Sequence, residues 1–243
     1  MIRNASVIEE NKEKQMKKTT RREFLVDSAV MIGGTVGTIA LTNGLLFPKA
    51  GRTGPVEFPE SSCGQENKTS KKVLVAYFSY CGTTGGVAEA IGQVLCDKGA
   101  TVDVRLIKDI SDVSSYQAFV IGSAVRSASW WPDAIEFVER NKEELGRKPV
   151  AYFLTCLALY QDTESSRRVA RSYMEPVLQA VSHVKPVEMG FFAGALDYSK
   201  LNLVYRTVMK SKMKKRGVPE GDFRDWNAIH SWTDGLPPKL LRA

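Results

Sequence analysis

Chemistry in this 243-residue chain concentrates where Ser79, Thr83 and Thr84 stand around Gly82, at the end of the stretch Lys71 to Thr84, K-K-V-L-V-A-Y-F-S-Y-C-G-T-T. Val73 to Phe78 is an unbroken apolar run, the pattern of a strand buried on both faces, and a helical pattern starts directly after the hydroxyls. Strand, glycine-and-hydroxyl turn, then helix makes an anion pocket. The helix's leading N–H groups lack partners inside the helix, and its dipole is positive at that end. The turn is predicted to hold a phosphate. Its spacing, S-x-x-G-x-T, is neither the nucleoside-triphosphate loop, which ends in Gly-Lys-Ser/Thr, nor the G-x-G-x-x-G of dinucleotide folds.

Elsewhere the reactive types are sparse. Four cysteines (Cys63, Cys81, Cys96 and Cys156) form no C-x-x-C, and the two histidines, His183 and His230, stand far apart, so no metal-ligand spacing is present. The formal net charge is +7, but the excess is local. Lys200, Arg206, Lys210, Lys212, Lys214, Lys215 and Arg216 follow one another with no acid between 200 and 217. Leu201, Val204, Tyr205, Val208, Met209 and Met213 recur among them at helical spacing, which predicts a basic amphipathic helix over 200–216. Such a helix suits an anionic membrane surface or acidic groups on a substrate. No base-reading motif accompanies the charges, so nucleic acid is not an expected partner.

The elements that must position these residues alternate. The helix after the turn carries Val87, Ile91, Val94 and Leu95 on one face and stops at Gly99. Thr101 to Ile107 alternates Val102, Val104 and Leu106 with Asp103 and Arg105, as in an edge strand with one wet face. Ala118 to Gly122 and Val150 to Leu154 read as central strands, with a helix opened by Pro132 between them. A helix over 165–181, interrupted by Pro176, precedes a fifth strand, Val187 to Phe192. This predicts an α/β fold with a doubly wound, five-stranded parallel sheet in the order 2-1-3-4-5 and helices on both faces. Ligands then bind outside the carboxyl ends of strands 1 and 3, so the loops 79–84, 123–131 and 155–160 are the places to look. Cys81 and Cys156 end strands two places apart, about 9 to 10 Å, too far for a disulfide.

Ahead of this domain, Thr19-Thr20-Arg21-Arg22-Glu23-Phe24-Leu25 precedes a mildly apolar, glycine-rich run from Ser28 to Phe47. The arrangement resembles a twin-arginine export signal, a route for proteins already folded around a cofactor. Residues 1–47 are therefore read as a signal or membrane anchor, with cleavage and retention both open, and the protein is expected outside the cytoplasm. Residues 48–70, with Pro48, Gly51, Gly54, Pro55, Pro59 and Gly64, read as a linker, and 71–243 as the domain.

The turn S-x-x-G-x-T resembles the flavodoxin signature T/S-x-T-G-x-T, with Cys81 in place of the middle Thr. Phe192-Ala193-Gly194-Ala195-Leu196-Asp197-Tyr198, the basic stretch, Asp225-Trp226 and Ala124-Val125-Arg126 are similar to the flavodoxin-type, menaquinone-dependent protoporphyrinogen IX dehydrogenases, whose distinguishing insertion corresponds to 199–222 here. The resemblance implies FMN as cofactor. Ser79, Tyr80, Gly82, Thr83 and Thr84 would take its phosphate. Ser123, Ala124, Val125 and Arg126 would border the ring, flanked by Trp130 or Trp131, and Cys156 and Leu157 would line its other edge. It also implies an oxidoreductase with a quinone or porphyrinogen as small-molecule partner. A non-catalytic electron carrier is the alternative, and no protein acid or base is assigned a catalytic role.

Overall fold

The computed structural model describes residues 56–64 and 71–241. The leader, with its Arg21-Arg22 pair, lies outside the described residues. Strand β1 (Ser61–Cys63) is followed by β2 (Lys72–Phe78), helix α1 (Thr83–Asp97) and β3 (Thr101–Leu106). Next come β4 (Ala118–Arg126), β5 (Ser129–Trp130), α2 (Pro132–Arg140), α3 (Lys142–Leu145) and β6 (Val150–Cys156). Helices α4 (Glu164–Ser172) and α5 (Glu175–Ala180) then lead to β7 (Glu188–Ala193). Pro176 does not interrupt a helix. It sits in the first turn of α5, where a missing N–H costs nothing.

The parallel strands lie side by side as β3, β2, β4, β6 and β7. β2 sits in the middle because Val73 through Tyr77 are fully buried, and successive side chains serve opposite faces. Leu74 and Ala76 join Phe137, Val138 and Val177 on the side of α2 and α5. Val73, Val75 and Tyr77 join Val87, Ile91 and Leu95 on the side of α1. Helices α7 (Trp226–Asp234) and α8 (Pro237–Leu240) complete that second side through Ile229, Leu236 and Leu240.

Two features enlarge the expected sheet. β1, from within the stretch whose composition reads as a linker, pairs antiparallel with β3, Ser61 opposite Val104 and Cys63 opposite Val102. β3 is therefore not the wet edge that its alternation suggests. Asp103 is only 8% exposed. Its carboxylate accepts from Ser62 Oγ and from the Tyr116 hydroxyl at 2.8 Å, and pairs with Lys72 at 3.3 Å and Arg105 at 3.2 Å. Burial alone would raise its pKa, but the Ser62, Tyr116 and Lys72 hydrogen bonds together hold it below the ordinary aspartate value. The Val/Asp/Val/Arg pattern encodes a buried polar cluster beneath β1. The second feature is a hairpin. β4 runs on to Arg126 and returns as β5 through Ser127 and Ala128, both at positive φ (51° and 62°), the conformation of a tight two-residue turn.

The segment after β7 closes on itself. β8 (Ala195–Leu196) pairs antiparallel with β9 (Gly221–Asp222), so the chain between them leaves and returns through one neck. Within it lies α6 (Leu203–Arg216), capped by the Asn202 side chain at the Tyr205 N–H and ended by Gly217. This excursion has its own small core of Leu196, Tyr198, Leu201, Met213 and Val218, against which Tyr80, Cys81 and Leu157 from the sheet's carboxyl end pack. The basic helix thus covers the end of the sheet where ligands are expected. Its apolar residues do not form the single face that the spacing suggests. Tyr205, Met209 and Met213 turn inward, while Leu203 and Val204 are more than 70% exposed and Val208 is 45% exposed.

Candidate functional site

The turn between β2 and α1 is built around Gly82, the residue capping α1, at φ 81° and ψ −21°. An L side chain rarely adopts that conformation, and here there is no room for one either. A Cβ on Gly82 would lie 2.6 Å from the Glu57 carbonyl oxygen. The chain ahead of β1 therefore runs back over this turn. Tyr77 donates its hydroxyl to the Pro59 carbonyl at 2.9 Å, and Glu60 accepts the Leu106 N–H at 3.0 Å, which straps the segment down.

Inside the turn, Gly85 and Gly86 direct their N–H groups to the Gly82 carbonyl at 2.9 and 3.4 Å. The Thr83 and Thr84 N–H groups have no acceptor among the described residues, and they lead a helix of 15 residues. Residues 79–84 include no carboxylate that would repel an anion. The Thr84 hydroxyl is held inside the protein. It pairs with the Thr155 hydroxyl at 2.8 Å, both residues being buried, and so locks the start of α1 to the end of β6. The Thr84 N–H stands free of that pair. Ser79 is also buried, at the root of the turn. Cys81 explains its own departure from the hydroxyl pattern, because it packs against the small core of the excursion. A weakly polar thiol suits that position better than an alcohol.

Across the carboxyl end from β2, Trp131 lies nearly parallel to Tyr80 (9°, centroids 5.2 Å apart) and stacks on Phe78 at 5.1 Å. The Arg126 guanidinium sits 4.5 Å from the Trp131 ring centre, a cation on an aromatic face. Tyr205 of α6 reaches Tyr80 at 6.2 Å and joins the helix to this aromatic group. Trp130 belongs elsewhere. It is 1% exposed and meets Tyr152 edge-on at 5.0 Å, so it is a core residue. Ser123 is fully buried, its Oγ donating to the Ala124 carbonyl and accepting the Trp131 N–H at 3.2 Å. It fixes the loop that presents Trp131 and does not face a ligand with its side chain. Ala124, Val125 and Arg126 lie on the hairpin strand just beyond it. Cys156 is buried at the end of β6, and burial pushes its thiol up to about 11, which leaves it protonated at neutral pH. Leu157 follows it and packs against the core beneath α6.

The structure thus gathers Tyr80, Gly82, Thr83, Arg126, Trp131 and Leu157 at the carboxyl end of the sheet, while the side chains of Thr84, Ser123 and Cys156 are committed behind that surface. Arg224, which no motif marks, also reaches the turn: its Nη1 donates to the Thr83 carbonyl at 3.4 Å. The fit to a ribityl phosphate and a flat ring is good. An uncharged turn with two N–H groups that have no acceptor among the described residues stands beside a planar aromatic surface. Among the described residues no cluster of His, Cys, Asp or Glu could hold a metal, and no helix is long and apolar enough to cross a membrane.

A family model described as "Flavodoxin domain" matches residues 74–221. A curated protein of Leishmania major, "Protoporphyrinogen IX dehydrogenase [quinone]", is 28% identical over 171 residues, covering 66% of this chain and 72% of its own. Among solved structures, the two-electron reduced flavodoxin of Megasphaera elsdenii aligns with 16% identity and a TM-score of 0.42, covering 67% of this chain and 98% of its own. The Fusobacterium nucleatum flavodoxin bound to flavin mononucleotide aligns with 9% identity and a TM-score of 0.40, covering 70% and 99%.

Proposed function

The chain belongs to the flavodoxin domain family, and from that premise we propose that it is an FMN-binding oxidoreductase whose partners are a porphyrinogen and a quinone. The observation that carries the cofactor assignment is the Gly82 turn, whose Thr83 and Thr84 N–H groups have no acceptor among the described residues, beside the Tyr80–Trp131 stack. When bound, FMN supplies the hydride and one-electron chemistry, and the protein binds, orients and tunes it. Gly82, Thr83 and Thr84 hold the phosphate through main-chain N–H groups. Trp131 and Tyr80 give the ring an aromatic wall, and Arg126 places positive charge beside it, which favours an anionic ring or a substrate carboxylate. The Thr84–Thr155 pair keeps the phosphate turn in register with the loop that carries Leu157.

The protoporphyrinogen and quinone reading is supported by the curated relative and by the excursion of α6 over the ligand-binding end of the sheet. Membrane association is part of the same proposal. Val204, Val208, Lys212 and Lys215 share one outward stripe of α6, apolar in its first half and cationic in its second. Arg206 is not part of it, because its guanidinium donates to the Tyr198 and Leu201 carbonyls within the excursion. The Arg21-Arg22 leader supports export of the loaded protein. The test is turnover. The full chain supplied with FMN should convert protoporphyrinogen IX to fluorescent porphyrin under anaerobic conditions only when a menaquinone is added. A flavin that exchanges electrons with reductases while no porphyrin forms would make the protein an electron carrier instead.

A further inference from the structure

The phosphate turn has a cation beside it that no motif marks. Arg224 follows β9, and its side chain is held twice. Asp222 accepts from its Nε at 2.9 and 3.1 Å and from its Nη2, and the Trp226 ring centre lies 4.5 Å from its Cζ. These anchors press the guanidinium against the first turn of α1, where Nη1 donates to the Thr83 carbonyl and would lie 2.7 Å from a Cβ on Gly86. Gly86 is the gap that admits it. The Arg224 side chain is 19% exposed, while that of its partner Asp222 is 47% exposed.

The placement runs against the helix dipole. Cations are favoured at a helix's C-terminal end, and this one stands at the N-terminal end of α1. Its pairing with Asp222 offsets that, and the Arg224 hydrogen bonds hold the Asp222 carboxyl below its ordinary pKa. A guanidinium has five N–H groups, and those already described leave one on each terminal nitrogen with no acceptor among the described residues. An anion at the turn would take up both the cation and these donors, and a planar guanidinium fork is the side chain best shaped for phosphate oxygens.

We propose that Arg224, positioned by Asp222 and Trp226, recognises the phosphate monoester of the flavin and sets the preference of this chain for FMN over riboflavin. The proposal rests on the FMN reading of the Gly82 turn and adds to it a charged partner supplied from beyond the excursion. It also gives the neck a role: β8 and β9 deliver Asp222, and with it Arg224, to the start of α1.

Titration of the full chain with FMN and with riboflavin, followed by quenching of flavin fluorescence, tests this. R224Q should weaken FMN binding by about ten-fold or more and leave riboflavin binding within about two-fold of the unmodified protein. Equal loss for both flavins, or no loss for FMN, overturns the role of Arg224. If R224Q does not fold, the unmodified chain carries the test. Raising NaCl from about 0.05 to about 0.5 M should weaken FMN more than riboflavin, and an equal response overturns the proposal. Failure of the unmodified chain to bind either flavin would instead overturn the reading of the turn itself.

Discussion

Gly82→Ala is the most informative single change in the turn. Two separate effects act there. Holding an L residue at φ 81° costs about 1–2 kcal/mol. The added methyl would also stand 2.6 Å from the Glu57 carbonyl, a main-chain atom that cannot rotate aside as a flexible side chain would. Shifting the strap to relieve that contact strains the Tyr77–Pro59 and Glu60–Leu106 hydrogen bonds, a further cost of about 1–2 kcal/mol. The sum is about 2–4 kcal/mol, or a fall in Tm of about 5–15 °C for a domain of this size. Gly99→Ala is the control. Gly99 has φ 90°, but its Cβ would meet nothing within 4 Å, so only the conformational term applies. Thermal unfolding followed by circular dichroism should therefore place G82A clearly below G99A. FMN titration should show weakened binding for G82A and unchanged binding for G99A, which lies past the far end of α1. Equal losses of stability and equal FMN affinities in the two variants would refute the packing of the strap on the turn.

Three further outcomes are expected. Thr84→Val should cost about 1–3 kcal/mol by leaving the buried Thr155 hydroxyl without its partner, whereas Thr84→Val with Thr155→Val should cost much less; additive losses in urea unfolding would contradict a direct pair. Asp103 has a folded pKa below its unfolded value, so its contribution is present above about pH 4 and disappears as the pH falls through the folded pKa. Asp103→Asn should thus be less stable than the parent by about 2 kcal/mol at pH 7, with the gap closing in acid; a gap independent of pH would count against the cluster. Replacing Leu203 and Val204 by Gln, or Lys212 and Lys215 by Gln, should reduce sedimentation with anionic liposomes, the lysine changes most visibly at low salt. Unaltered sedimentation in both cases would remove α6 from membrane binding.

The parallel core was legible because each of its strands is a short apolar run, and such runs survive in any α/β packing. The turn from β2 into α1 was legible for a different reason, since glycine suits its left-handed backbone. Composition misled at β1. Proline and glycine mark 48–70 as irregular, but pairing with β3 depends on main-chain groups and on Asp103, whose partners Ser62 and Tyr116 come from distant positions. Alternation on β3 likewise looks the same whether the polar face meets water or a buried ion cluster. In α6 the spacing gave a helix but not its orientation, because inward Met209 and outward Val208 differ only in what the sheet end offers them. Neither does a residue list distinguish Trp130 from Trp131, or Thr83 from Thr84, whose hydroxyl is tied to Thr155. Arg224 was hidden because its position follows from the neck of the excursion and not from spacing to the turn.

The most direct measurement is the absorbance spectrum of the full-length protein purified from its native host, followed by chromatography of the flavin released on denaturation. Bands at the blue and near-ultraviolet flavin maxima are expected, with release of FMN in close to one equivalent per chain. A colourless protein that acquires no flavin bands when FMN is added in excess would contradict it.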